Sequence, residues 1–128
     1  MAVTPSLDDL RYLDMGEDEL LLVIGQSLLS DTLSERPADN RDVRQSARRW
    51  FDQQTLKLKA LICDNPGICS QLSRDKNDRN VLYGILFDAL AGTLWGVPVG
   101  ALTAQILIFG IAKLCPELGR HDNGSNNF

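Results

Sequence analysis

The sequence predicts an all-α fold: a compact bundle of five or six helices with a buried apolar helical hairpin near its C-terminal end. Apolar residues recur at helical spacing in several segments, and Pro-, Gly- and Asn-containing turns separate those segments. No segment alternates apolar and polar residues as a half-buried strand does. With 128 residues, 44% of them hydrophobic, the chain is long enough to bury one core.

The first two helices are predicted within residues 6–33. Ser6 followed by Asp9 approximates a capping box that begins a short helix. A break around Gly16 precedes a second helix from Glu17 to about residue 33, whose acidic first turn complements the helix dipole. Gly25 inside this helix costs roughly 1 kcal/mol relative to alanine, which is tolerable if another helix crosses there.

The third helix is predicted to follow a linker at residues 36–40 and to run to about Cys63, with Asp39 or Asn40 as its cap. Four arginines lie away from its apolar positions and form a basic stripe: Arg41, Arg44, Arg48 and Arg49. A turn at residues 64–67 and a short helix at about 68–72 come next. A polar loop then ends in a cap at Asn77 or Asp78.

The most informative stretch is residues 81–115, in which residues 89–112 contain no ionisable side chain. Pro98 removes a backbone donor and pushes Val97 out of the helical region, and Gly96 is a natural helix stop. The stretch is therefore expected to form two buried helices joined by a turn at residues 95–98. The alternative is a membrane-active protein that inserts residues 81–115 as a span or re-entrant hairpin.

Small residues recur at every fourth position of this stretch, with one carboxylate among them. The series is Gly84, Asp88, Gly92, Gly96, Gly100 and Ala104. Such spacing lets another backbone approach closely. The glycines either permit tight crossing within the chain, with Gly96 marking the turn, or form a self-association surface. Asp88 is expected to reach the bundle edge or to pair with an arginine of the third helix.

Charge is unevenly distributed, although the net charge is only −4. The acids concentrate in residues 1–35 and the bases in residues 36–62, so an acidic helix is expected beside a basic one. Nucleic-acid binding through the arginine stripe is the competing interpretation, which the net negative charge disfavours. Acidic residues occupy the place of a signal peptide's apolar region, so we predict a cytoplasmic protein, with membrane association as the alternative.

The cysteines give the one metal-like pattern. Cys63 and Cys69 are six residues apart, as are Cys115 and His121, so the four could supply a Cys3His zinc set. Paired zinc ligands are usually closer in sequence, and we predict no metal site. A Cys63–Cys69 disulfide across the intervening turn is a second alternative, and free thiols in a reducing compartment are the expectation.

No constellation of residues indicates catalysis. His121 is the only histidine, and the paired carboxylates fall at helix starts, where capping explains them. We therefore predict a non-catalytic helical interaction or adaptor module, without a cofactor, that self-associates or docks on a protein partner. The domain is expected to span residues 1–116, followed by a disordered polar tail at 117–128. The sequence gives no indication of a small-molecule ligand.

Overall fold

The computed structural model describes residues 5–30, 39–75 and 78–116 of the chain, and these ranges confirm the all-α class. They contain seven α-helices and one 3-10 turn, and no strand. In order these are α1 (Leu7–Leu10), the 3-10 turn (Arg11–Asp14), α2 (Glu17–Ser30), α3 (Asn40–Ile62), α4 (Pro66–Arg74), α5 (Arg79–Ala91), α6 (Val99–Phe109) and α7 (Ile111–Leu114).

Helix α6 is the centre of the bundle, and every residue from Gly100 to Ile106 is buried. Its Leu102 and Ile106 face a core cluster shared with α3, α4, α5 and α7. Its Ala101 and Ala104 face a second cluster, built mainly from α2 and α5. The apolar stretch of the sequence therefore holds the two halves of the core together.

Side-chain caps begin the helices where the sequence predicts them. The Asp9 amide donates to Ser6 Oγ at 3.2 Å and the Ser6 amide donates to Asp9 Oδ2 at 2.8 Å, which completes the predicted capping box. Asp78 caps α5 by accepting from the Val81 amide at 3.2 Å. Asp39 occupies the N-cap position of α3, but its side chain makes no capping hydrogen bond there.

Helices α2 and α3 pack closely against each other at Gly25. A Cβ atom on Gly25 would lie 2.5 Å from Val43 Cγ1 and would also collide with the backbone of Val43. Both residues are buried. The structure thus confirms that another helix crosses α2 at this glycine.

The predicted break in the apolar stretch is confirmed, but it is longer than a four-residue turn. Residues 92–98 connect α5 to α6, with Gly96 at a φ of 78° and Pro98 at the N-cap of α6. A second break, at Gly110, separates α6 from α7 and was not predicted. Gly110 has a φ of 106°, a left-handed value that glycine adopts without steric cost.

The connection between α5 and α6 is held by Trp95, whose side chain is buried. Its indole Nε1 donates to the Leu90 carbonyl oxygen at 3.0 Å. Lys57 Nζ of α3 lies 4.6 Å from the indole ring centroid, within the range of a cation–π contact. The loop is thereby attached both to the end of α5 and to α3.

The N-terminal segment is attached to α5 by two hydrogen bonds. The Tyr83 hydroxyl donates to the Asp9 carbonyl oxygen at 2.5 Å, and Arg79 Nη2 donates to the Leu13 carbonyl oxygen at 2.7 Å. Burial raises the pKa of the Tyr83 hydroxyl well above its usual value of 10.0, and the charges of Asp9 and Tyr12 add to the shift. The neutral phenol is therefore part of the folded state.

Replacing Tyr83 with phenylalanine should cost about 1 kcal/mol near neutral pH, because one hydrogen bond is lost. Above pH 10 the unfolded chain releases the Tyr83 proton while the folded protein keeps it. The unfolding free energy of the wild type should then fall with rising pH, by at most about 1.4 kcal/mol per pH unit from this group. Urea unfolding of both proteins from neutral to alkaline pH measures the difference. An identical alkaline decline in both would contradict the assignment.

Several sequence-based expectations lie outside the described residues. They are the end of the second helix near residue 33, the linker at 36–38, the alternative cap at Asn77, the histidine at 121 and the tail at 117–128. The short helix predicted at 68–72 is longer in the structure, because Pro66 occupies its first turn and Asn65 caps it.

Candidate functional site

The series of small residues divides into two parts that face different surroundings. Gly100 and Ala104 are buried in α6, and a Cβ atom on Gly100 would lie 2.7 Å from both Tyr12 Cδ2 and the Tyr83 hydroxyl. Gly96 provides the left-handed turn. These three positions therefore serve the chain's own packing and turn. This agrees with the interpretation in which the small residues permit close crossing within the chain.

The part of the series on α5 faces outward. A Cβ atom on Gly84 or Gly92 would meet nothing within 4 Å, and Asp88 is exposed at the bundle edge. Val81, one turn before Gly84, is 39% exposed. We call Val81, Gly84, Asp88 and Gly92 the open α5 face. Helix α6 is buried along most of its length. Helix α5 is buried only on the side opposite the open α5 face.

Leu94 extends the apolar character of this region into the connecting loop. Its side chain is 97% exposed, although its neighbour Trp95 is buried. Leu94 was not predicted to be exposed, because it lies in a stretch that was expected to be buried. Its place between Gly92, the C-cap of α5, and Gly96, a positive-φ glycine of the loop, is the signal that could have identified it as a loop residue.

The arginine stripe lies on α3, as predicted, and one of its members pairs with the acidic helix. Arg48 Nη2 lies 3.2 Å from Glu17 Oε1 at the start of α2. Arg41 and Arg49 are exposed and Arg44 is half-buried, and none of these three forms an ion pair within the described part of the chain. The expected contact between an acidic and a basic helix is thus present, at one ion pair among the residues that the structure describes.

Glu17 also contacts the central helix through Gln105. Gln105 is 5% exposed, and its Nε2 donates to Glu17 Oε2 at 3.5 Å, while its Oε1 is buried without a hydrogen-bond partner in the structure. Arg48, Glu17 and Gln105 therefore connect α3, α2 and α6 through polar atoms. Because the Arg48–Glu17 side chains are about half exposed, this ion pair contributes little stability, about 0–1 kcal/mol.

The cysteines differ most from the sequence-based expectation. Cys63 and Cys115 form a disulfide with a Cα–Cα distance of 5.5 Å, so the expectation of three free thiols is wrong for these two residues. The Cys63–Cys69 disulfide considered from sequence is not the pair that forms. The bond also occupies two of the four zinc candidates, Cys63 and Cys115, and His121 lies outside the described residues. Cys69 lies beside Cys63, at the start of α4.

The described ranges hold no group of three or more histidine, cysteine, aspartate or glutamate side chains arranged to bind a metal ion. Over the same ranges, no helix is both long enough and apolar enough to cross a membrane. The membrane hairpin, the absence of catalysis and the absence of a cofactor remain predictions.

Two exposed surfaces could contact another protein. One is the open α5 face together with Leu94. The other is the outward side of α3, formed by Arg49, Asp52, Gln53 and Leu56. No protein-family model, no curated protein and no solved structure matches this chain.

Proposed function

We propose that this protein is a non-catalytic helical module that assembles head to tail with further copies of itself. In each contact, the outward side of α3 in one copy packs on the open α5 face of the next. The observation that carries this proposal is a match in spacing between the two surfaces. Each presents one exposed aliphatic and one exposed charged side chain seven residues apart.

On α3 the two residues are Arg49 and Leu56, and Leu56 is 79% exposed. On α5 they are Val81, 39% exposed, and the exposed Asp88. A separation of seven residues is close to two helical turns, so both members of each pair project from the same side about 10.5 Å apart. Antiparallel packing places Arg49 opposite Asp88 and Leu56 opposite Val81.

The residues that lie between the two members of each pair also allow a close contact. Gly84 lies between Val81 and Asp88 and leaves the space around its Cα empty. Asp52 and Gln53 of α3 lie between Arg49 and Leu56, and the missing side chain at Gly84 leaves room for them. Small residues at such a position allow two helices to approach closely.

Charge favours this arrangement over a symmetric pairing of two α5 helices. Antiparallel α5 helices crossing at the middle of the open face would bring two Asp88 carboxylates together, which costs free energy. Contact with α3 instead brings Asp88 to an arginine. Because the two surfaces of one copy differ, their contact does not close on itself as a two-fold dimer does, and further copies can add.

The test uses two variants that each disable one surface. Gly84→Leu fills the open α5 face and leaves α3 intact, whereas Arg49→Glu reverses the charge on α3 and leaves α5 intact. Sedimentation of the wild type over a concentration series should show mass growing beyond the 14.2 kDa monomer. Each variant alone should remain monomeric, and their equimolar mixture should form a dimer and nothing larger.

Leu7→Asp is the matched control, because Leu7 is 85% exposed on α1 and belongs to neither surface. This variant should assemble as the wild type does. A wild type that remains monomeric at every concentration would overturn the proposal. So would assembly that persists in Gly84→Leu alone, or a mixture in which no dimer appears.

The cytoplasmic localisation predicted from the sequence is retained in this proposal. Disulfides in mesophilic cytosolic proteins are mostly transient or redox-sensing. The Cys63–Cys115 bond is compatible with that compartment if it exchanges with other thiols.

A further inference from the structure

Three cysteines meet at the end of α3, and two of them form the disulfide. Cys63 is the residue that follows α3, Cys115 is the residue that follows α7, and Cys69 lies in the first turns of α4. The Cys69 thiol donates to the Cys63 carbonyl oxygen at 2.9 Å and lies 3.4 Å from the Ile62 carbonyl oxygen. The third sulfur is therefore held against the residue whose side chain carries the disulfide.

From this geometry we propose that Cys69 is the nucleophile of an internal thiol–disulfide exchange site. The Cys69 thiol gives up its proton to solvent, and its thiolate attacks Cys63 Sγ. The Cys69–Cys63 bond forms as the Cys63–Cys115 bond breaks. The electron pair leaves on the sulfur of Cys115, which then takes up a proton. One disulfide is lost and one is formed, so no external oxidant or reductant is required.

Burial determines which sulfur is attacked. Cys115 is 1% exposed, whereas Cys63 is partly exposed and its carbonyl oxygen accepts from the Cys69 thiol. Attack at Cys63 is thus the accessible route, with Cys115 as the leaving group. The reverse attack by the Cys115 thiol restores the original bond, which makes the exchange an equilibrium.

The two cross-links differ in what they hold together. The Cys63–Cys115 bond joins residues 52 apart in sequence and fixes α7 against the end of α3. The Cys63–Cys69 bond spans only the turn between α3 and α4. After exchange, α7 is held only by non-covalent contacts, chiefly through the buried Leu114. Exchange therefore releases the segment from Gly110 onward from its covalent attachment to α3.

Peptide mapping can distinguish the two states directly. Trypsin cleaves after Lys59, Arg74, Lys113 and Arg120, so Cys63 and Cys69 share peptide 60–74 and Cys115 lies in peptide 114–120. The original disulfide links the two peptides. The exchanged disulfide is internal to peptide 60–74 and leaves peptide 114–120 with a thiol that a maleimide labels.

The experiment incubates the folded, oxidised wild type at mildly alkaline pH without reductant, and then quenches with acid and labels with maleimide before digestion. We expect the internal disulfide to appear in peptide 60–74 at a rate independent of protein concentration. Cys69→Ser should retain only the linked peptides, because it has no nucleophile. Cys115→Ala, after oxidation, should carry the internal disulfide throughout.

Release of α7 gives a second readout on the intact fold. Native trypsin should cut after Lys113 roughly tenfold faster in oxidised Cys115→Ala than in the wild type, because cleavage requires α7 to open. The wild-type mapping remains decisive if this variant folds poorly. Linked peptides alone after prolonged incubation, with Cys69 fully labelled by the maleimide, would overturn the proposal. A rate that rises with protein concentration would do so too.

Discussion

Replacing Gly25 with alanine should destabilise the protein by about 2–3 kcal/mol, although alanine is the better helix former. The added methyl group would meet Val43 Cγ1 at 2.5 Å and the Val43 carbonyl group on the neighbouring helix. The Val43 side chain could rotate, but its backbone could move only if α3 moved away from α2. Urea unfolding followed by circular dichroism would show an earlier midpoint.

Gly84→Ala is the matched control for this experiment, with both variants unfolded at a protein concentration at which they are monomeric, because Gly84 also belongs to the proposed contact between copies. Gly84 also lies inside a helix, but its missing side chain faces open space. Alanine there should stabilise the helix by up to about 1 kcal/mol, because the unfolded chain loses conformational freedom and nothing is displaced. If both alanine variants unfolded at the same urea concentration, close packing at Gly25 would be excluded.

Removing the disulfide should have the largest effect on stability. The bond closes a loop between residues 52 apart, for which the chain-entropy model gives roughly 4 kcal/mol. The double variant Cys63→Ala with Cys115→Ala should therefore unfold at a much lower urea concentration than the oxidised wild type. Reducing the wild type should bring its midpoint close to that of the double variant.

Cys69→Ser serves as the control for the disulfide experiment. Serine keeps a hydroxyl that can donate to the Cys63 carbonyl oxygen, and the Cys63–Cys115 bond stays intact. Its unfolding free energy should stay within about 1 kcal/mol of the wild type. A double alanine variant that unfolds at the wild-type midpoint would show that the disulfide contributes nothing to stability.

Local signals in the sequence were sufficient to predict most of the helices. The capping box at Ser6, the acidic start of α2 and the break before Pro98 depend on residues within a few positions of one another. The crossing at Gly25 was considered from sequence as the condition that makes this glycine tolerable, but the sequence alone does not separate it from Gly84, which lies inside α5 and faces open space. The break at Gly110 was missed because an isolated glycine late in an apolar run carries no second signal.

The candidate sites depend on long-range geometry that spacing does not contain. The regular interval from Gly84 to Ala104 continues across residues 92–98, but the loop turns α6 relative to α5, so Gly84 faces solvent while Gly100 faces Tyr12. The pairing of Cys63 with Cys115 requires that α7 return to the end of α3. Nothing near either cysteine in sequence indicates that approach. Only Cys69 lies close enough to Cys63 for sequence alone to suggest a partner.

The contacts of Trp95 with Leu90 and Lys57 also restrain its neighbour, Leu94. The indole is tied to the Leu90 carbonyl oxygen and covered by Lys57, so the loop backbone that carries Leu94 has few alternative conformations. When another surface covers Leu94, the backbone at this position gives up little freedom, so the loss is confined to the exposed side chain. Ordering that side chain costs about 0.5–1.5 kcal/mol, and the rigid loop backbone adds little to this cost. Leu94 is therefore well placed to contact a protein surface that packs on this end of α5.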